Sequence, residues 1–170
     1  MSVIITCLFL LQLSFLLFLE LALLEQVFPE TIAYTIDLLA VLLSEDEESK
    51  EVRKTLEAEV KESLRKRHGR HLFAIHGPQT PEHPDGHWSL LSVERNYDES
   101  PMKLRYFDTV YPVNEECLAR ADKVRSWTGA SMPDDKENIF MQAGDDCAYW
   151  VMHYAEVEAR MAHGEGLGLA

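Results

Sequence analysis

Basic residues are scarce in this chain. Sixteen Lys and Arg stand against 29 Asp and Glu, a formal net charge of −13. No broad basic surface is available to meet phosphates, which argues against a nucleic-acid partner. The first Lys or Arg is Lys50. The apolar start of the chain therefore has no basic leader region and no positive flank. Cysteine is scarce too, with Cys7, Cys117 and Cys147 only. Three cysteines give no disulfide framework and no metal-type CxxC spacing. A reducing compartment is the simpler expectation for residues 44–170. No internal repeat is visible.

The 170 residues, 46% of them apolar, suffice for one modest domain with a real core. The chain divides into 1–28, an apolar segment; 29–70, a helical region; 71–162, a region of mixed strands and helices; and 163–170, a Gly-containing flexible tail. From Val3 to Leu19 only Thr6, Gln12 and Ser14 are polar. That run fits a membrane anchor, a signal segment or a buried helix, and Glu20 and Glu25 close it. Pro29 breaks the segment. Thr31–Leu43 is expected to be a second helix, with Ile32, Ile36, Leu39 and Leu43 on one face. Ser44 and Glu47 form a capping-box signature for a third, reaching about Arg67. Its stripe is Val52, Leu56, Val60 and Leu64. The basic cluster Arg65–Arg70 closes that helix and suits its dipole.

After Gly69 the texture changes. Leu72–Ile75, His87–Val93 and Lys103–Val110 are expected strands. Residues 77–86 form a Pro/Gly-rich loop, and Glu94–Met102 is a polar turn. Asn114 caps a helix to about Trp127, in which Cys117 is plain packing. Ile139–Met141 is a last short strand. A polar turn then delivers Cys147 to the start of a helix running from about Ala148 to Met161, with Asp145 or Asp146 as its cap. Ala148, Val151, Met152, Ala155 and Ala159 share a face at i, i+3, i+4 spacing.

A cysteine at a helix N-terminus meets unpaired N–H groups and the positive dipole end, which favour a thiolate. Gln142 lies across the turn. Its amide is placed to meet an oxyanion together with the Cys147 N–H. His87 opens one strand of a hairpin and Asp108 lies near the end of the other. Directly opposed, they would centre the turn between Tyr97 and Asp98, and Asp108 would orient the His87 ring. Nucleophile, base, orienter and oxyanion donor would then be complete. A competing use exists for the crowded histidines 68, 71, 76, 83 and 87. Zinc is not expected, because no CxxC and no helical i, i+4 pair accompanies them.

His87-Trp88-Ser89-Leu90-Leu91, then Tyr106-Phe107-Asp108-Thr109, then Gln142 through Asp146-Cys147 resemble the ubiquitin-like-protein proteases. These are the SUMO-protease family of cysteine peptidases, and the similarity covers roughly Leu72 to Met161. The resemblance implies a papain-like α+β fold: a small central antiparallel sheet with the nucleophile at a helix N-terminus. Here an all-helical N-terminal region precedes it. It implies His87 as base, Asp108 as its partner, Gln142 as oxyanion donor, Cys147 as nucleophile and Trp88 as a substrate-binding roof over a di-glycine tail. The implied reaction is hydrolysis of a peptide or isopeptide bond after that tail, without a cofactor. The implied partner is a ubiquitin-like protein or its conjugates, in the nucleus or cytoplasm, with membrane association if residues 1–28 are an anchor. Ala148 stands where the family usually has glycine. The Gln142–Cys147 segment is one residue shorter than the common pattern, and no tryptophan precedes Trp88. An inactive binding module and an acyltransferase using the same triad are the alternative readings.

Overall fold

The structure, a computed structural model, describes residues 19–34, 36–43, 46–78, 86–97, 102–109, 114–130 and 147–164. A helix over residues 19–27 (α1) comes first. The elements that follow are β1 (Thr31–Tyr34), α2 (Ile36–Leu43), α3 (Lys50–Lys66), β2 (Gly69–Gly77), β3 (His87–Arg95), β4 (Lys103–Phe107), α4 (Glu115–Ser126) and α5 (Cys147–Ala162). The result is an α+β fold. One four-stranded sheet, ordered β1-β2-β3-β4, carries helices on both faces.

Two expectations are corrected here. The N-terminal region is not all-helical: Thr31–Tyr34 is a strand, and the helix begins only at Ile36. A short apolar run does not declare its period, and Thr31 and Ile32 are β-branched. The tertiary partner decides. Tyr34 stacks on Phe73 with ring centroids 4.2 Å apart, and its hydroxyl reaches His71 Nδ1 at 2.9 Å. The sheet is also mixed rather than antiparallel, because β1 runs parallel to β2 while the other pairs are antiparallel. A parallel pair needs a crossover, which α2 and α3 supply. On the outer edge of β1 the Ala33 N–H donates to Glu25 Oε1 at 2.7 Å, so α1 occupies an edge group that another chain would otherwise pair with.

The strands are longer or shorter than their apolar stretches. β2 and β3 pair over nine residues each, because ladder bonds carry the strand into Gly69, His71, His76 and Gly77 whatever their polarity. β4 stops at Phe107 and leaves Asp108 and Thr109 outside the ladder. α3 starts at Lys50 rather than after Ser44. Asp46 instead accepts from the Glu48 N–H and the Ser49 hydroxyl, a local turn that competes with helix. The expected strand at Ile139–Met141 lies outside the described residues.

β2 is buried on both faces, which explains its unbroken Leu72-Phe73-Ala74-Ile75. Leu72 and Ala74 meet α1 and α5, while Phe73 and Ile75 meet the layer of α2, α3 and α4. Leu21, Leu24 and Phe28 are the buried face of α1 and share the α5 core. Residues 19–28 therefore follow the packed-helix alternative. Among the described residues no helix is long and apolar enough to cross a membrane, and residues 1–18 lie outside them.

This packing carries a prediction for a chain shortened to begin at Ser44. It loses α1 and β1, and each buried Leu or Phe of α1 is worth about 1.5–3 kcal/mol. That sum rivals the roughly 5–15 kcal/mol of net stability a domain has. The shortened chain is expected to aggregate on gel filtration. A monomeric product with a cooperative melt would contradict the shared core.

Candidate active site

The site is built where the sheet's β3–β4 end meets the start of α5. His87 is the first residue of β3, entered through Gly86 at φ +78°. A Cβ at Gly86 would lie 2.4 Å from His76 Nε2 and 2.9 Å from the Gly77 carbonyl oxygen. Only glycine fits this turn without displacing its neighbours, in a backbone region that L side chains avoid.

The hairpin register differs from the expected one by two residues. Leu90 pairs with Phe107, so continuing the register sets Asp108 against Ser89 rather than against His87. Side chains alternate with period two, so this difference keeps His87 and Asp108 on one face as diagonal neighbours. Asp108 Oδ1 lies 2.6 Å from His87 Nε2, and both residues are buried. The short separation fits a charge-assisted bond. Cys147, the first residue of α5, lies close enough to the same imidazole to act on its charge. With Nε2 committed to Asp108, Nδ1 is the ring nitrogen that can serve the sulfur. Burial disfavours the imidazolium, but the Asp108 hydrogen bond and the interactions of Asp108 and Cys147 with the ring more than offset it. They raise His87 from 6.5 to about 9.

Two residues behind the pair went unnoticed in the sequence. The Tyr106 hydroxyl donates to Asp108 Oδ2 at 3.0 Å. The available signal was its i, i+2 spacing from Asp108 along a strand, which puts both on one face. The Cys117 thiol, on α4, donates to the His87 carbonyl oxygen at 3.6 Å. Burial pushes that thiol up to about 12, so it stays protonated. Cys117 is packed in the core as expected, and it also braces the backbone at His87.

Trp88 alternates to the other face. Its ring packs on His76 at 4.4 Å and joins the core beneath α5, with 5% of its surface exposed. Gln142, Asp145 and Asp146 lie outside the described residues. The histidines disperse rather than gather: His68 packs against Tyr97, His71 bonds Tyr34, His76 meets Trp88, and His87 bonds Asp108. Among the described residues no group of three or more His, Cys, Asp or Glu could hold a metal ion.

α5 is held along its length by a second polar cluster. Glu158 is 1% exposed. It accepts from Ser92 Oγ at 2.6 Å and Arg105 Nη1 at 2.8 Å, and it pairs with Arg70 Nη1 at 3.2 Å. Arg70 also bonds Glu94 at 2.9 Å. One carboxylate thus ties the cysteine-bearing helix to β2, β3 and β4.

No protein-family model matches the chain, and no curated protein does. Among solved structures, its fold is similar to that of the Xanthomonas campestris effector protein XopD bound to ubiquitin. The TM-score is 0.50 at 18% identity, over 79% of this chain. The chain spans 64% of that chain's length. At this identity the likeness is one of fold.

Proposed function

We propose that this protein is a cysteine peptidase of the ubiquitin-like-protease type, hydrolysing peptide or isopeptide bonds at the C-terminus of a ubiquitin-like modifier. One observation carries the reading: a buried carboxylate hydrogen-bonded to an imidazole, with a thiol at a helix N-terminus close enough to act on the same ring. That order supplies what nucleophilic acyl transfer needs. The fold shared with a protein solved bound to ubiquitin supports the choice of modifier class.

In the proposed reaction His87 Nδ1 takes the Cys147 thiol proton, and Asp108 steadies the resulting imidazolium. The thiolate attacks the carbonyl carbon of the last glycine of the tail. The Cys147 N–H and the Gln142 side-chain amide receive the oxyanion. Collapse of the tetrahedral species breaks the C–N bond, and His87 donates its proton to the leaving amine. A water then gives a proton to His87 and attacks the thioester. The carboxylate leaves, and the proton returns to the sulfur.

The test is a panel of ubiquitin and SUMO-type modifiers carrying a C-terminal electrophile. At least one is expected to label the wild type at Cys147, and Cys147→Ala is expected to abolish labelling. Binding without labelling would replace the peptidase with a binding module. Labelling by an acyl-CoA analogue alone would favour the acyltransferase.

A further inference from the structure

We infer that Tyr106 is a positioning residue for the proposed reaction: its hydroxyl holds one oxygen of Asp108 so that the other stays in line with the His87 ring. The catalytic consequence rests on the peptidase reading above. The geometry does not.

Asp108 directly follows Phe107, the last residue of β4. A carboxylate held at one oxygen can still rotate about Cβ–Cγ. Here both oxygens are engaged: Oδ1 at 2.6 Å from His87 Nε2 and Oδ2 at 3.0 Å from the Tyr106 hydroxyl. Tyr106 is itself immobilised. It lies in the ladder opposite Leu91 and is 2% exposed within the α2–α3–α4 core. Burial first, and then the Asp108 charge, raise its pKa above the ordinary value, so it remains a donor at any working pH. The ionisable groups facing it are Asp108 and Cys117, with the Ser89 hydroxyl beside them. A rigid donor two residues before the carboxylate therefore fixes its second oxygen while His87 holds the first.

The experiment follows the His87 imidazole by NMR against pH, alongside turnover of a labelled modifier, in wild type, Tyr106→Phe, Asp108→Asn and the double variant. Tyr106→Phe is expected to lower the His87 midpoint and to cut kcat about tenfold with KM unchanged. The double variant is expected to turn over no more slowly than Asp108→Asn, because the two residues act through one carboxylate. Leu104→Val loosens the same face of β4. It is expected to lower the melting temperature without moving the midpoint, which separates positioning from packing. Should Tyr106→Phe fail to fold, fluorotyrosine incorporated at the tyrosines keeps the shape and strengthens the donor. It must then shift the Asp108 carboxyl carbon resonance. An unchanged His87 midpoint in Tyr106→Phe, additive losses in the double variant, or an unmoved carboxyl resonance would each overturn the inference. A wild type that titrates as described but cleaves no modifier would overturn the peptidase reading alone.

Discussion

Asp108→Asn is expected to lower turnover by roughly 10⁴-fold while the chain stays folded, the size of loss seen when the same member of such a triad loses its charge. The physical cause is tautomer control. An ionised Asp108 can only accept, so it holds the proton on His87 Nε2 and leaves Nδ1 able to take the thiol proton. An asparagine can present its NH₂ group instead and favour the opposite tautomer. The variant also loses the bond and charge that raise His87 to about 9, while burial, which pushes the other way, remains. The pH dependence of stability has a definite sign. A folded-state pKa above the unfolded 6.5 adds stability that is present in full below pH 6.5 and is lost as pH rises through about 9. The gap in melting temperature between wild type and variant should therefore be widest on the acid side of 6.5 and close above 9. Melts in parallel at all pH, or undiminished turnover, would show that Asp108 does not act on His87.

Glu158→Ala is expected to cost about 3 kcal/mol of stability, from breaking a buried ion cluster at one member. Arg70 would keep only Glu94, and the Ser92 hydroxyl and Arg105 would lose the carboxylate that joins them. For a chain of this size, roughly 2–4 °C per kcal/mol puts the fall in melting temperature near 10 °C. Glu158→Gln keeps the shape and some hydrogen bonding, and should lose less. Glu158 is three helical turns from Cys147, so the loss should appear in stability first. A Glu158→Ala protein that melts with the wild type would mean that packing alone holds α5 to the sheet.

Much of the site was legible because its residues are marked locally. Cys147 directly follows a polar, Gly-containing stretch of sequence and stands at the head of an apolar-faced helix. His87 and Asp108 stand at facing ends of two strands. The hairpin arithmetic missed the register by two residues, yet the conclusion about proximity did not depend on it, since a slip of two preserves the face. A slip of one would have separated the pair. The N-terminal region was less legible. Thr31–Tyr34 is too short to declare a period, and its conformation follows from the open edge of β2 beside it. Glu158 was hidden for a different reason. On a helix wheel it is a charged residue within an apolar face, and nothing local tells that Arg70, Ser92 and Arg105 converge there.

The sequence by itself determined the α+β class, α4 and α5 to within a residue or so, and which residues are the candidates for base, acid partner and nucleophile. Those follow from short-range rules: capping at Asn114, 3.6-residue spacing in α5, and alternation in β3. Tertiary structure alone decided that β1 is a strand parallel to β2, that α1 shares the core of α5, and that Tyr106, Cys117 and Glu158 serve the site and its helix. Those depend on contacts between residues far apart in the chain. A hydrogen bond or a packed face over such separations leaves no periodic trace in the sequence that forms it.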